Sequence, residues 1–197
     1  MGRIKSAHEI AMEKAEEISE NTSPEEEARL EIRDELKPIL SKFYNGDIDA
    51  EGLWQKLEDE DEDYLIQAQE MIIESFGLRT DEDEFDSRKE AILALESLKS
   101  NQATGIEQVI EKIKNHKQKH EQERERLEEQ LQQETERNSK MQMKPVQTDD
   151  GRTVMKLESG VKKKKKKKYK NALSQLEEKS NKRFNWLIKE LKNKVSS

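Results

Sequence analysis

The chain has 197 residues and a mass of 23.1 kDa, room for one ordinary domain, or a small one with appendages, but not for two of full size. Hydrophobic residues make up 31%, aromatic residues 5% and charged residues 41%, against about 45–50% apolar and about 25% charged in a typical domain, which excludes a single large core. The absence of cysteine excludes disulfides, thiolate catalysis and cysteine-based zinc sites. The net charge of -7 conceals a sorting by position: residues 1–100 hold 12 Lys and Arg against 29 Asp and Glu, residues 101–160 hold 11 against 12, and residues 161–197 hold 14 against 3. Such polarity marks an interaction tail, with the acidic head as one of its candidate partners.

In chain order, Ile4, Ala7, Ala11, Ala15 and Ile18 recur at helical steps and predict a short amphipathic helix. Ser23-Pro24-Glu25-Glu26 is a second helix start, with an N-cap serine, proline at the first helical position and glutamate three residues after the cap. That helix carries Ala28, Ile32, Leu36, Leu40 and Phe43 on one face, Pro38 is expected to kink it, and Asn45-Gly46 ends it. Asp49 is expected to cap a short helix bearing Leu53, Trp54 and Leu57. Another follows with Leu65, Ala68, Ile72 and Phe76, closed by Gly77 as a left-handed cap, and Phe85, Ile92, Leu95 and Leu98 mark the next. Short stripes of this kind are buried only against one another, so residues 1–103 are expected to form a small, irregular, acidic bundle.

Thr104-Gly105-Ile106-Glu107 has the form of a capping box opening a long charged helix over 104–143. Ile106, Ile113, His120, Leu127 and Met141 keep a seven-residue spacing, but the companion positions Val109, His116, Glu123, Gln130 and Arg137 are mostly polar. The pattern predicts a partial coiled coil in which Ile106, Val109, Ile110 and Ile113 pack on the bundle and a lone charged rod runs on from about Lys117. Residues 144–161 read as a weak β-hairpin or loop around Asp150-Gly151. Residues 162–168 are a lysine linker, and 169–197 a basic amphipathic helix with Leu173, Leu176, Ser180, Phe184, Leu187, Ile188, Leu191 and Val195 on one broad face. The expected fold class is therefore all-α.

Few residue patterns carry chemistry. Asp47, Asp49, Glu51 and Glu58, with Gly52 between, approach the spacing of a calcium loop, although Trp54 stands where that loop takes a small residue; Asp59, Asp61, Asp63 and Glu70 repeat the spacing with Tyr64 at the glycine position. Helix caps at Asp49 and Asp61 explain the same acids without a metal. His116 and His120, four residues apart, share a helix face that could hold a metal but lack a third ligand at fixed spacing, and His8 sits among small apolar residues. No phosphate-cradling glycine loop or nucleophile elbow is present, so no enzyme is expected and no cofactor is implied. The strongest signal is the polyanion-binding run Lys162, Lys163, Lys164, Lys165, Lys166, Lys167 and Lys168, extended by Lys170, with Phe184 and Trp186 available to stack.

No apolar run approaches the ~20 residues of a membrane span. The N-terminal segment carries acids throughout and no signal-type stretch, which leads to the expectation of a cytoplasmic location. Gly2 and Ser6 formally fit a myristoylation pattern. The opening Arg3-Ile4-Lys5-Ser6-Ala7-His8-Glu9-Ile10-Ala11-Met12-Glu13-Lys14-Ala15-Glu16, followed by Ser23-Pro24-Glu25-Glu26, resembles the start of a bacterial family of uncharacterised helical proteins with a K-S-A-x-E-I-A-M-E-K-type N-terminus, over about the first 45 residues. That resemblance implies a helical fold and brings no reaction or ligand. Three functional classes follow: a structural or interaction protein acting through helical association with itself or a protein partner; a non-specific binder of nucleic acid or a ribosomal surface through the basic tail; and an acidic calcium binder.

Overall fold

The structure, a computed structural model, describes residues 23–99, 103–141, 143–148, 150–157 and 159–197, and the side chains of these except 135–146 and 154–166. The helix predicted over Ile4–Ile18, His8 and the Gly2/Ser6 pattern lie outside the described residues. What is described is all-α in class: α1 (Pro24–Tyr44), α2 (Ala50–Leu57), α3 (Glu62–Glu74), α4 (Glu82–Leu98), α5 (Ala103–Met141) and α6 (Ser159–Val195), with two short strands, β1 (Met143–Gln147) and β2 (Thr153–Leu157). The chain divides into two compact units, one of residues 23–75 and 83–99, the other of 76–82 and 103–197.

The first unit is assembled from caps and stripes. The Ser23 hydroxyl accepts from the Glu26 amide at 3.3 Å while the Glu26 carboxylate accepts from the Ser23 amide at 3.1 Å, so two orphan donors of α1 are satisfied reciprocally. The helix continues through Pro38. It ends where Gly46, at φ +78°, lets its own amide reach the Phe43 carbonyl at 3.0 Å and the Asp47 amide reach Lys42 at 2.9 Å. Asp49 and Asp61 cap α2 and α3, accepting from Gly52 N–H at 2.8 Å and Tyr64 N–H at 2.9 Å. Gly77 is not the left-handed cap expected of it: α3 stops earlier, where the Ser75 hydroxyl donates to the Ile72 carbonyl at 2.6 Å, and Gly77 instead donates its amide to Thr80 Oγ1 at 2.7 Å in the following turn.

Helix α1 packs on α2 and α3, and the expected stripe residues Leu36, Leu40, Phe43, Leu53, Leu57, Leu65, Ala68, Ile72, Phe85, Ile92 and Leu95 are buried. One buried patch is polar. Gln69 Nε2 donates to the Ile92 carbonyl and to Glu96 Oε2, both at 3.0 Å, and Lys99 Nζ pairs with the same carboxylate oxygen at 2.9 Å, with both charged side chains 4% exposed. This cluster ties α3 to α4 at a point where an unpaired charge would be costly. On the rim of the unit, Arg88 donates to the Ser75 carbonyl at 3.2 Å and lies 5.7 Å from the Tyr44 ring, and Arg33 pairs with Glu74.

The second unit is a helical hairpin. Along α5 from its N-terminus, Lys112 pairs with Glu190 at 3.0 Å, His120 meets Ser180 at 3.1 Å and Glu128 accepts from Tyr169 at 3.3 Å, so the partner numbers fall as the α5 numbers rise and the helices are antiparallel. They contain 39 and 37 residues, about 55–60 Å each at 1.5 Å per residue. The seven-spaced Ile106, Ile113 and His120, with Val109 and Ile110, are buried, and so are Ser180, Phe184, Leu187, Leu191 and Val195 of α6. Toward the turn the seam thins to half-buried Leu127, Leu131, Leu173 and Leu176.

Three expectations are corrected here. Helix α5 is not a lone rod beyond Lys117, because its seam residues find the stripe of α6. Its first helical residue is Ala103, which puts Thr104 inside the first turn and not at the cap. The lysine run is not a linker: α6 begins at Ser159 and runs through it, since lysine loses little rotamer freedom in a helix and propagation from an established helix is favourable. Between the helices, β1 and β2 pair antiparallel with Val146 opposite Val154. The turn closes where Thr148 N–H reaches the Arg152 carbonyl at 2.8 Å and Gly151 takes φ +78°.

The two kinds of glycine respond oppositely to alanine. Gly46→Ala places a Cβ in a left-handed position with open space around it and should cost about 1 kcal/mol. Gly105→Ala adds a Cβ 3.8 Å from Lys194 Cδ, an ordinary contact inside a helix, and should stabilise by about 0.5–1 kcal/mol; urea titrations of both variants measure the two signs. Glu96→Leu should cost about 3 kcal/mol by removing the carboxylate paired with the buried Lys99 ammonium, and adding Lys99→Met should recover most of it, as read by the shift in the denaturation midpoint of single and double variants.

Candidate functional site

The hairpin offers three distinct surfaces: its turn end, its seam and the outer face of α6. At the turn end, residues 137–170 contain 13 Lys and Arg against 3 Asp and Glu. The lysine run occupies the first turns of α6, directly after β2. Lys167, Lys168 and Lys170 are exposed; the side chains of Lys162, Lys163, Lys164, Lys165 and Lys166 lie outside those described. At the strand turn, the Thr148 hydroxyl donates to the Asp150 carboxylate and holds its pKa below the usual carboxylate range. Where the lysine run meets the seam, Leu127, Gln130, Leu131, Glu134, Lys168, Tyr169 and Ala172 line a shallow groove.

The seam brings two histidines four apart on α5 onto one serine of α6 that lies 60 or more positions further along the sequence. His116 Nε2 lies 3.0 Å from the Ser180 carbonyl and His120 Nδ1 lies 3.1 Å from the Ser180 hydroxyl. Against a carbonyl, His116 must be the donor, which fixes the proton on Nε2. The pair four apart on α5 thus serves as a polar latch on α6 and not as a metal site. Burial lowers the pKa of His120 because the charged imidazolium loses hydration; Glu121 and Glu177 oppose this, and His116 and Arg124 add to it. The convergence on Ser180 was not foreseeable from the histidine spacing alone, although Ser180 was the one small polar residue on an otherwise apolar face. The loop before α4 adds contacts no motif announced: Lys117 Nζ donates to the Thr80 carbonyl at 2.6 Å, and Arg79 pairs with Glu177 at 2.7 Å.

On α6 the two aromatic residues have separate fates. Phe184 is buried in the seam, which withdraws it from stacking on a ligand, whereas Trp186 is 50% exposed with the Arg183 guanidinium 4.2 Å from its ring centroid. The calcium-like acids are not assembled. Asp49 and Asp61 serve as caps, and among the described residues no group of three or more His, Cys, Asp or Glu is arranged to hold a metal ion. The spacing that suggested a loop is the spacing of consecutive capped helices.

Fold and surfaces define an all-α protein built on a long antiparallel helical hairpin, with no helix among the described residues long and apolar enough to cross a membrane. Residues 51–197 match the Family of unknown function (DUF6657), and the chain belongs to that family. The match takes in α2 through α6 and the whole hairpin; the N-terminal resemblance over the first 45 residues lies ahead of it. No curated protein and no solved structure matches the chain.

His120 makes the seam sensitive to acid. Its pKa is depressed in the folded state, so the unfolded chain binds the extra proton first and stability rises with pH through this window. The contribution is fully present above about pH 6.5, the ordinary histidine value, and is lost as pH falls through the lower folded value. Thermal melting should therefore weaken on going from pH 7.5 to 5.5, and His120→Leu should flatten that dependence while the full slope persists in Lys119→Gln.

Proposed function

We propose that this chain is a non-enzymatic interaction protein of the bacterial cytoplasm that holds nucleic acid, free or on a ribosomal surface, at the turn end of its helical hairpin. The observation that carries the reading is the concentration of 13 cations against 3 anions within residues 137–170, at one end of a hairpin whose own apolar stripe is covered. Phosphate contacts by lysine release condensed counterions, an attraction indifferent to sequence and sensitive to salt. The coiled-coil-like pairing of α5 and α6 supplies the stalk, and it also uses up the surface through which α6 would otherwise associate with a second copy. The head of residues 1–100, at 12 cations to 29 anions, repels the same polyanion and competes for the lysines.

A direct test replaces Lys162 through Lys168 by glutamine in the full chain, which keeps helix propensity while removing charge. By fluorescence anisotropy at about 50 mM salt, the wild type should bind a labelled oligonucleotide and the variant at least about ten-fold more weakly, with a salt slope shallower by about 2–5 log units per log unit. Equal binding by the two proteins, or none by the wild type, would sink the reading.

A further inference from the structure

Deepening that reading, we infer that the outer face of α6 is a binding track for single-stranded nucleic acid, with Trp186 as a platform on which an unpaired base stacks. The rotation of α6 is fixed by its buried side: Phe184, Leu187 and Leu191 are 6%, 1% and 0% exposed. At about 100° per residue this leaves Trp186 on the opposite side, half in water, one of three large hydrophobic residues that are exposed among those described. An indole so exposed gives up hydrophobic burial, and nothing in the fold of the hairpin requires it there. Its surroundings are mainly cationic, since Glu190, one turn after it, is paired with Lys112 at 3.0 Å. Arg183 lies one turn before it with the guanidinium 4.2 Å from the ring centroid, and Lys179, Lys182 and Lys189 share the same side at helical steps and are exposed. Lys182 also pairs with Glu178 at 2.7 Å, an exposed contact too weak to withhold the ammonium from a phosphate.

These positions span eleven residues of helix, about 15 Å, and lie on the same helix as the lysine run. The combination selects among polyanions. A duplex offers phosphates but keeps its bases stacked on each other, leaving the indole no partner. A lipid surface offers phosphates and an apolar layer, yet Trp186 stands singly among cations with no adjoining apolar residue on its side to insert. A single strand offers phosphates for Lys179, Lys182 and Lys189 together with an unpaired base face for the indole, and Arg183, already over the ring, is placed to exchange the ring for a phosphate or to stack beside the base.

The experiment uses the full chain carrying Trp54→Phe, so that Trp186 is the only tryptophan, titrated with an oligothymidylate, a duplex of the same length and anionic phosphatidylglycerol vesicles. The single strand should quench the Trp186 emission. Trp186→Ala should weaken single-strand binding by about 5- to 100-fold and Trp186→Phe by less, while duplex binding stays unchanged in both. Unchanged emission at saturating oligothymidylate, full affinity in Trp186→Ala, or an equal loss on the duplex would each overturn the inference, as would vesicle binding with a blue-shifted emission in place of single-strand binding. If the glutamine variant of the lysine run loses binding and Trp186→Ala does not, only this inference fails. If no polyanion binds at any salt concentration, both readings fail.

Discussion

The antiparallel seam between α5 and α6 is the constraint from which the hairpin's other properties follow. Each helix alone would leave an apolar stripe in water, and most helical stability in proteins comes from packing such a face. Paired, they withdraw Ile106, Val109, Ile110 and Ile113 from solvent on one side and Phe184, Leu187, Leu191 and Val195 on the other, side chains worth about 1.5–3 kcal/mol each when buried. The apolar contacts concentrate near the α5 N-terminus and the α6 C-terminus. Toward the turn they give way to His120 and Ser180 and then to half-buried leucines. Apolar burial is thus graded along the described part of the hairpin and falls toward the basic end, a gradient that favours local adjustment in that direction.

Charge sorting acts on top of this gradient. Seven adjacent lysines repel one another, and positive charge near a helix N-terminus is opposed by the helix dipole, so the first turns of α6 bear an electrostatic load. A bound polyanion would relieve both terms at once. The first unit shows the opposite economy: Glu25, Glu26 and Glu27 sit in the first turn of α1 and Asp49 and Asp61 at caps, where helix dipoles and orphan amides favour negative charge. Asp49 and Asp61, members of the two calcium-like spacings, are thus held as helix caps.

Local rules made much of the fold legible in the sequence. The capping box at Ser23, the caps at Asp49 and Asp61 and the termination at Gly46 rest on contacts within three or four residues, and the stripes that are buried are those whose periodicity was clear. What the sequence concealed was pairing at long range. His116 and His120 looked like breaks in a heptad because the partner able to satisfy them, Ser180, lies some 60 residues on, and the charged middle of α5 looked unpartnered for the same reason. Gly77 misled because a glycine after an apolar run fits a helix cap, whereas the Ser75 hydroxyl had already ended α3. Self-repulsion alone makes the lysine run a linker, whereas continuity with a packed helix carries α6 through it.

Of the site, the sequence revealed composition but not orientation. Phe184 and Trp186, two residues apart, looked equivalent as aromatic partners until the seam fixed the rotation of α6; a 200° step then buries one and exposes the other. The same rotation separates the cations of α6 into those beside the seam, such as Lys192, which is half-buried, and those on the outer side with Trp186. A basic amphipathic helix in isolation would present its apolar stripe as the obvious docking surface and its lysines as solvating charge. With the stripe covered by α5 that assignment inverts, and the lysines and the indole are what α6 presents to solvent.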